Sequence, residues 1–146
     1  SEITRNSMFK AISYCKPGES ISTIGKVIEE YIDKHNYAVV KEFSGHGVGK
    51  NVHMNPSILH FDVSKYDRNY FNYYKNEKMV PGMTFTIEPV ICMKEYDNIY
   101  SLPDNWTIML PEDNPSAQWE HIILITKTGC DILTFRENEI IPNNIW

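Results

Sequence analysis

The richest chemistry in this 146-residue chain lies in residues 44–60, SGHGVGKNVHMNPSILH, where three histidines (His46, His53, His60) share a stretch with three glycines. Glycines on both sides of His46 let the backbone approach something closely, or relieve a turn that a Cβ would obstruct. GHGVG is not GxGxxG, and Gly49-Lys50 is followed by Asn51, not Ser or Thr. No helix is expected after it, so the segment lacks the anion-binding helix start of a phosphate loop. A metal suits it better: His46, expected in a loop after a strand, could serve as an imidazole ligand. Two carboxylates join it. In MTFTIEPVIC, alternation places Phe85 and Ile87 on one strand face and Thr84, Thr86 and Glu88 on the other. Pro89 then interrupts the ladder, as it would at a site or a bulge. In QWEHIILIT, Gln118, Glu120, Ile122 and Leu124 share a face opposite Trp119, His121, Ile123 and Ile125. A carboxylate within such an apolar segment is costly unless paired or bound to a cation. One imidazole and two carboxylates make an N/O donor set suited to Mn, Fe, Co or Zn. From the residue types alone, a solvated His46 and a Glu88 turned to water from an edge strand remain open alternatives.

These residues need elements to position them. Residues 1–16 read as a helix ended by Pro17-Gly18. Residues 22–35 read as a second, because Ile21, Ile24, Val27, Ile28, Tyr31 and Ile32 fall on a 3.6-residue period. Ser20 or Ser22 is expected to cap its start, and Asn36 to tolerate the left-handed conformation at its end. Residues 37–43, 83–92, 106–110, 118–126 and 131–135 read as strands. Two helices followed by strands give an α+β domain, with helices on one face of a mainly antiparallel sheet. Residues 62–78, rich in Asp, Asn, Lys and Tyr and without periodicity, read as an exposed surface insertion.

Composition narrows the function. Fourteen Lys+Arg against nineteen Asp+Glu give a net charge of -5, the wrong sign for binding nucleic acid through its phosphates. No apolar run approaches the roughly 18 residues a membrane helix needs. Cys15, Cys92 and Cys130 are odd in number and widely spaced, which argues against a disulfide framework or a thiolate zinc site and for a reducing compartment.

The motifs AISYCKPGESISTIGKVIEEYI, SGHGVGKNVHMNPSILHF, VPGMTFTIEPVIC, PDNWT and SAQWEHIILITKTGCDILT, in this order, resemble the second half of a type I methionine aminopeptidase. The resemblance runs from about Ala11 to Phe135 and implies the pita-bread fold of creatinase and aminopeptidase-like metallopeptidases. It implies removal of the initiator methionine from nascent polypeptides in the cytoplasm, with the ribosome as a further partner. It also implies two divalent metal ions (Co, Mn, Fe or Zn) in the complete enzyme. Carried over residue by residue, His46, Glu88 and Glu120 match metal ligands, with Glu88 also a proton acceptor and Glu120 a bridge between metals. His53 matches the histidine that steadies the scissile amide, and Trp106 an aromatic wall of the methionine pocket. Two rivals share the architecture: a prolidase-like Xaa-Pro peptidase, and a non-catalytic protein-binding module. The sequence departs from the family at Val52, where Phe is usual, and in the length of residues 62–78. The family's remaining ligands, two aspartates, and a further substrate histidine lie in its N-terminal half, before the position of Ser1. The expectation is therefore little or no peptidase activity from these 146 residues alone, and self-association through apolar surface normally covered by the other half.

Overall fold

The computed structural model describes residues 1–111 and 113–143. The chain runs α1 (Glu2–Ile12), α2 (Ser22–Asp33), β1 (Ala38–Val39), β2 (Ser44–Gly47), β3 (Met54–Leu59), a 3-10 turn (Val63–Lys65) and α3 (Arg68–Tyr74). It continues through β4 (Thr84–Ile87), β5 (Val90–Cys92), β6 (Tyr100–Ser101), β7 (Ile108–Met109), β8 (Ser116–Gln118), β9 (His121–Ile125) and β10 (Cys130–Ile132). Five strands form an antiparallel sheet in the order β10-β9-β4-β2-β3, three a second in the order β1-β5-β8, and β6 pairs β7 in a separate hairpin.

The α2 stripe does what its period requires. Ile21, Ile24, Val27, Ile28 and Ile32 are buried and join Met8, Phe9 and Ile12 of α1 against Ile58, Phe85, Ile87, Ile123 and Ile125 of the sheet. Burial along β9 alternates, with His121, Ile123 and Ile125 inward and Ile122 and Leu124 half-buried on the far side. Helices therefore cover one face of the five-stranded sheet. The other face carries the half-buried Thr84, Ile122 and Leu124. Among the described residues no helix is long and apolar enough to cross a membrane.

Several expectations shift in detail. The first helix ends at Ile12, four residues early, and the strand over 37–43 shrinks to Ala38–Val39. Neither serine fills the N-cap of α2, which is Ile21; the Ser20 hydroxyl, one residue before it, accepts the Ser22 N–H at 3.2 Å. Asn36 takes the left-handed conformation, φ 55°. His46 lies in strand β2, not in a loop, with a bulge between it and Gly47. Residues 62–78 are mostly exposed but hold a 3-10 turn and the short helix α3. Val63 and Tyr74 anchor them: Tyr74 is buried, and its hydroxyl donates to the Ser57 carbonyl at 2.9 Å and accepts the Leu59 N–H at 3.1 Å. Glu29, buried on α2, holds the segment from the other side. Its carboxylate accepts the Asp62 N–H at 2.8 Å and the Tyr66 hydroxyl at 2.6 Å, and Lys65 Nζ lies 3.2 Å away.

The two carboxylate-bearing segments, read as continuous strands, each break in two. β4 pairs β9 up to Ile87↔His121, and β5 pairs β8 from Val90↔Gln118. Between these pairs the chain crosses from the five-stranded sheet to the three-stranded one, and later back again beside the first crossing. Glu88-Pro89 forms one crossing and Trp119-Glu120 the other.

Candidate metal centre

The crossings put Glu88 and Glu120 on neighbouring corners, and β2 delivers His46 to the first of them. His46 Nε2 lies 3.5 Å from Glu88 Oε1. Its Nδ1 sits 3.0 Å from the Gly47 carbonyl oxygen. A carbonyl only accepts, so Nδ1 carries a proton, and Nε2 is the ring nitrogen that faces the carboxylate. Thr86 joins the two residues: its hydroxyl accepts the His46 N–H at 2.9 Å and donates to Glu88 Oε1 at 2.7 Å. This confirms the shared face of Thr86 and Glu88 expected from alternation. The close approach of β2 depends on glycine, since a Cβ on Gly45 would collide with the Thr86 carbonyl.

Electrostatics at the corner favour a cation. Burial raises the Glu88 carboxyl above its ordinary pKa, and the like charge of Glu120 adds to the rise. The Thr86 hydroxyl, His46 and His53 oppose it. Two carboxylates that repel each other, beside an imidazole, form a site whose charge a divalent ion would neutralise. Glu120 is exposed, its Oε2 accepting from Gln118 Nε2 at 3.4 Å. Among the described residues no three His, Cys, Asp or Glu side chains converge tightly enough to hold a metal ion by themselves. His46 and Glu88 are brought together, and Glu120 stands near enough for its charge to raise the Glu88 carboxyl.

His53 is exposed, its ring 4.3 Å from that of His46 between centroids. Trp106 is 87% exposed. It sits in the turn of the β6–β7 hairpin, apart from the strands that carry His46 and Glu88. Asp104 shapes that turn, its carboxylate accepting the Trp106 and Thr107 N–H groups at 3.0 and 2.9 Å.

Sequence reasoning missed His60. It is buried, and its Nε2 accepts the Glu88 N–H at 3.2 Å. Burial pushes its pKa down to about 3, so the ring is neutral. The signal was present: beyond β3, Ile58 and His60 keep the strand's alternation, and both point inward. A histidine on an apolar face needs a partner.

Residues 1–127 match the model of metallopeptidase family M24. The chain belongs to that family. Methionine aminopeptidase of Buchnera aphidicola subsp. Schizaphis graminum is 39% identical over 145 residues, covering 97% of this chain and 50% of its own length. That of Salmonella typhimurium is 37% identical over 140 residues, 96% of this chain and 49% of its own. The chain thus spans about half the length of the curated relatives it matches. In structure it resembles methionine aminopeptidase from Rickettsia prowazekii (TM-score 0.79, 37% identity, 92% of this chain and 50% of that one). It also resembles the Pyrococcus furiosus prolidase, at a TM-score of 0.63 and 25% identity over 94% of this chain and 32% of that one. The fold is α+β pita-bread, and membership of a metallopeptidase family implies divalent metal ions.

Proposed function

We propose that this chain supplies the His46, Glu88 and Glu120 side of a methionine aminopeptidase site, acting on polypeptides that begin with methionine. The observation that carries the reading is the His46–Glu88 pair, with the imidazole Nε2 3.5 Å from a carboxylate oxygen beside a second carboxylate. Two divalent ions (Co, Mn, Fe or Zn) would be held by these three residues together with donors from outside residues 1–146. When bound, such ions would supply the chemistry of lowering the pKa of water toward neutral and polarising the scissile carbonyl.

The chain's own residues do the rest. Glu88 would accept a proton from the attacking water. His53, exposed next to His46, donates to the developing negative charge of the scissile amide. Trp106 forms one wall for the methionine side chain, and Val52 leaves more room there than the usual Phe. The substrates are nascent polypeptides, in the cytoplasm.

The methionine reading is favoured over a prolidase-like specificity by structural likeness: the methionine aminopeptidases match at TM-scores of 0.74–0.80 and the prolidases at 0.61–0.63. The test is a substrate panel with manganese or cobalt, comparing Met-Ala-Ser with Ala-Pro peptides. It is run on the 146 residues alone and on the chain combined with the half of the Buchnera relative that lies outside the match. Methionine release by the combination, and little from the chain alone, is expected. Preferential cleavage before proline would refute the assignment.

A further inference from the structure

Glu88 owes its position to a peptide group that no strand ladder holds. Ile87 is the last residue of β4 and Val90 the first of β5, so Glu88 falls between two sheets. Pro89 has no N–H at all. The Glu88 N–H is therefore the one amide proton of the crossing dipeptide, and it donates to His60 Nε2 at 3.2 Å. An accepting Nε2 places the proton of the neutral ring on Nδ1. At its other end the same residue is held by the Thr86 hydroxyl, 2.7 Å from Oε1. Main chain and carboxylate are thus gripped from opposite ends, by a residue just after β3 and by one within β4.

We infer that His60 is a positioning residue: by accepting the Glu88 N–H it fixes the crossing peptide, aims the Glu88 carboxylate at His46, and so sets the affinity of the site for a divalent cation. This rests on the metallopeptidase reading above. His60 is not itself a ligand, because its Nε2 is used by the backbone. A rigid acceptor just beyond the end of β3 suits the task. Without it, a part-buried N–H must find another partner, and turning the peptide to do so swings the carboxylate away from the 3.5 Å pairing with His46.

The test is manganese binding by titration calorimetry on the full-length protein that contains these residues, as wild type, His60→Leu and His60→Gln. The glutamine oxygen can occupy roughly the place of Nε2 and accept the same proton. His60→Leu should weaken manganese binding about tenfold, the effect typical of losing a partner that orients a metal ligand, while His60→Gln should restore most of it. A folded His60→Leu protein that binds manganese as wild type does, or equal weakening in both variants, would overturn the assignment. Should the leucine variant not fold, nitrogen-15 NMR of the wild type decides: the proton must sit on Nδ1, and a ring protonated on Nε2 removes the contact and the inference with it. Failure of the wild type itself to take up manganese would instead refute the metallopeptidase reading.

Discussion

Thr86 offers a clean test of how the candidate site is built. Its side chain is buried, and its single hydroxyl accepts the His46 N–H at 2.9 Å while donating to Glu88 Oε1 at 2.7 Å. Replacing it with valine keeps the shape and removes both bonds. A hydrogen bond to a charged group contributes about 1.5–3 kcal/mol, and a buried donor left without a partner costs about 1–3 kcal/mol. Glu88 retains 20% side-chain exposure, so water recovers part of the loss and valine's extra apolar carbon a little more. The expected net destabilisation for Thr86→Val is about 3 kcal/mol. Thr86→Ser keeps the hydroxyl and loses one methyl, about 1 kcal/mol. Chemical denaturation of both variants beside the wild type measures the difference. Equal stability of the serine and valine variants would show that the hydroxyl does not hold His46 and Glu88 together, and the site geometry described above would be wrong.

Three further outcomes follow from other contacts. Glu29→Ala should cost about 2–3 kcal/mol, since it strands the buried Asp62 N–H; it should also strip hydrogen-exchange protection from residues 62–75, and unchanged protection there would contradict the anchoring role. The Glu139 carboxyl is held down to about 2, first by Arg136 and further by His121, so it favours the folded state above the ordinary glutamate pKa of 4.5 and loses that contribution as pH falls toward 2. Arg136 is 61% exposed, so solvent screens much of this pairing; Glu139→Gln should flatten the stability profile between these pH values, and an unaltered slope would exclude the pair as its source. Gly45→Ala should destabilise by at least about 2 kcal/mol, by forcing β2 away from the Thr86 carbonyl, and wild-type thermal stability would refute that close approach.

The sequence made some of this architecture readable and hid the rest for identifiable reasons. The α2 stripe and the inward face of β9 are periodic, and periodicity is a local property. Pro89 likewise announced its own break in the ladder. The matching break at Trp119-Glu120 has no proline or glycine to mark it, because its cause is non-local: β9 and β8 pair with β4 and β5, so they must leave the first sheet where their partners do. The same limit hid the roles of His60 and Glu29. Each satisfies a backbone N–H 28 or 33 residues away, a relation that only the folded chain creates. Glu29 also shows why residues 62–78 looked structureless: their order comes from outside, through Glu29 and through the buried Tyr74, and not from a repeat of their own.

The central claim is that the His46 imidazole on β2 and the carboxylates at the two adjoining sheet crossings line one divalent-metal centre. Anomalous scattering from manganese-soaked crystals of the full-length protein measures this directly. The account predicts a peak within coordination distance of His46 Nε2 and of the Glu88 and Glu120 carboxylates; a fully occupied manganese position elsewhere, with none at these side chains, would contradict it.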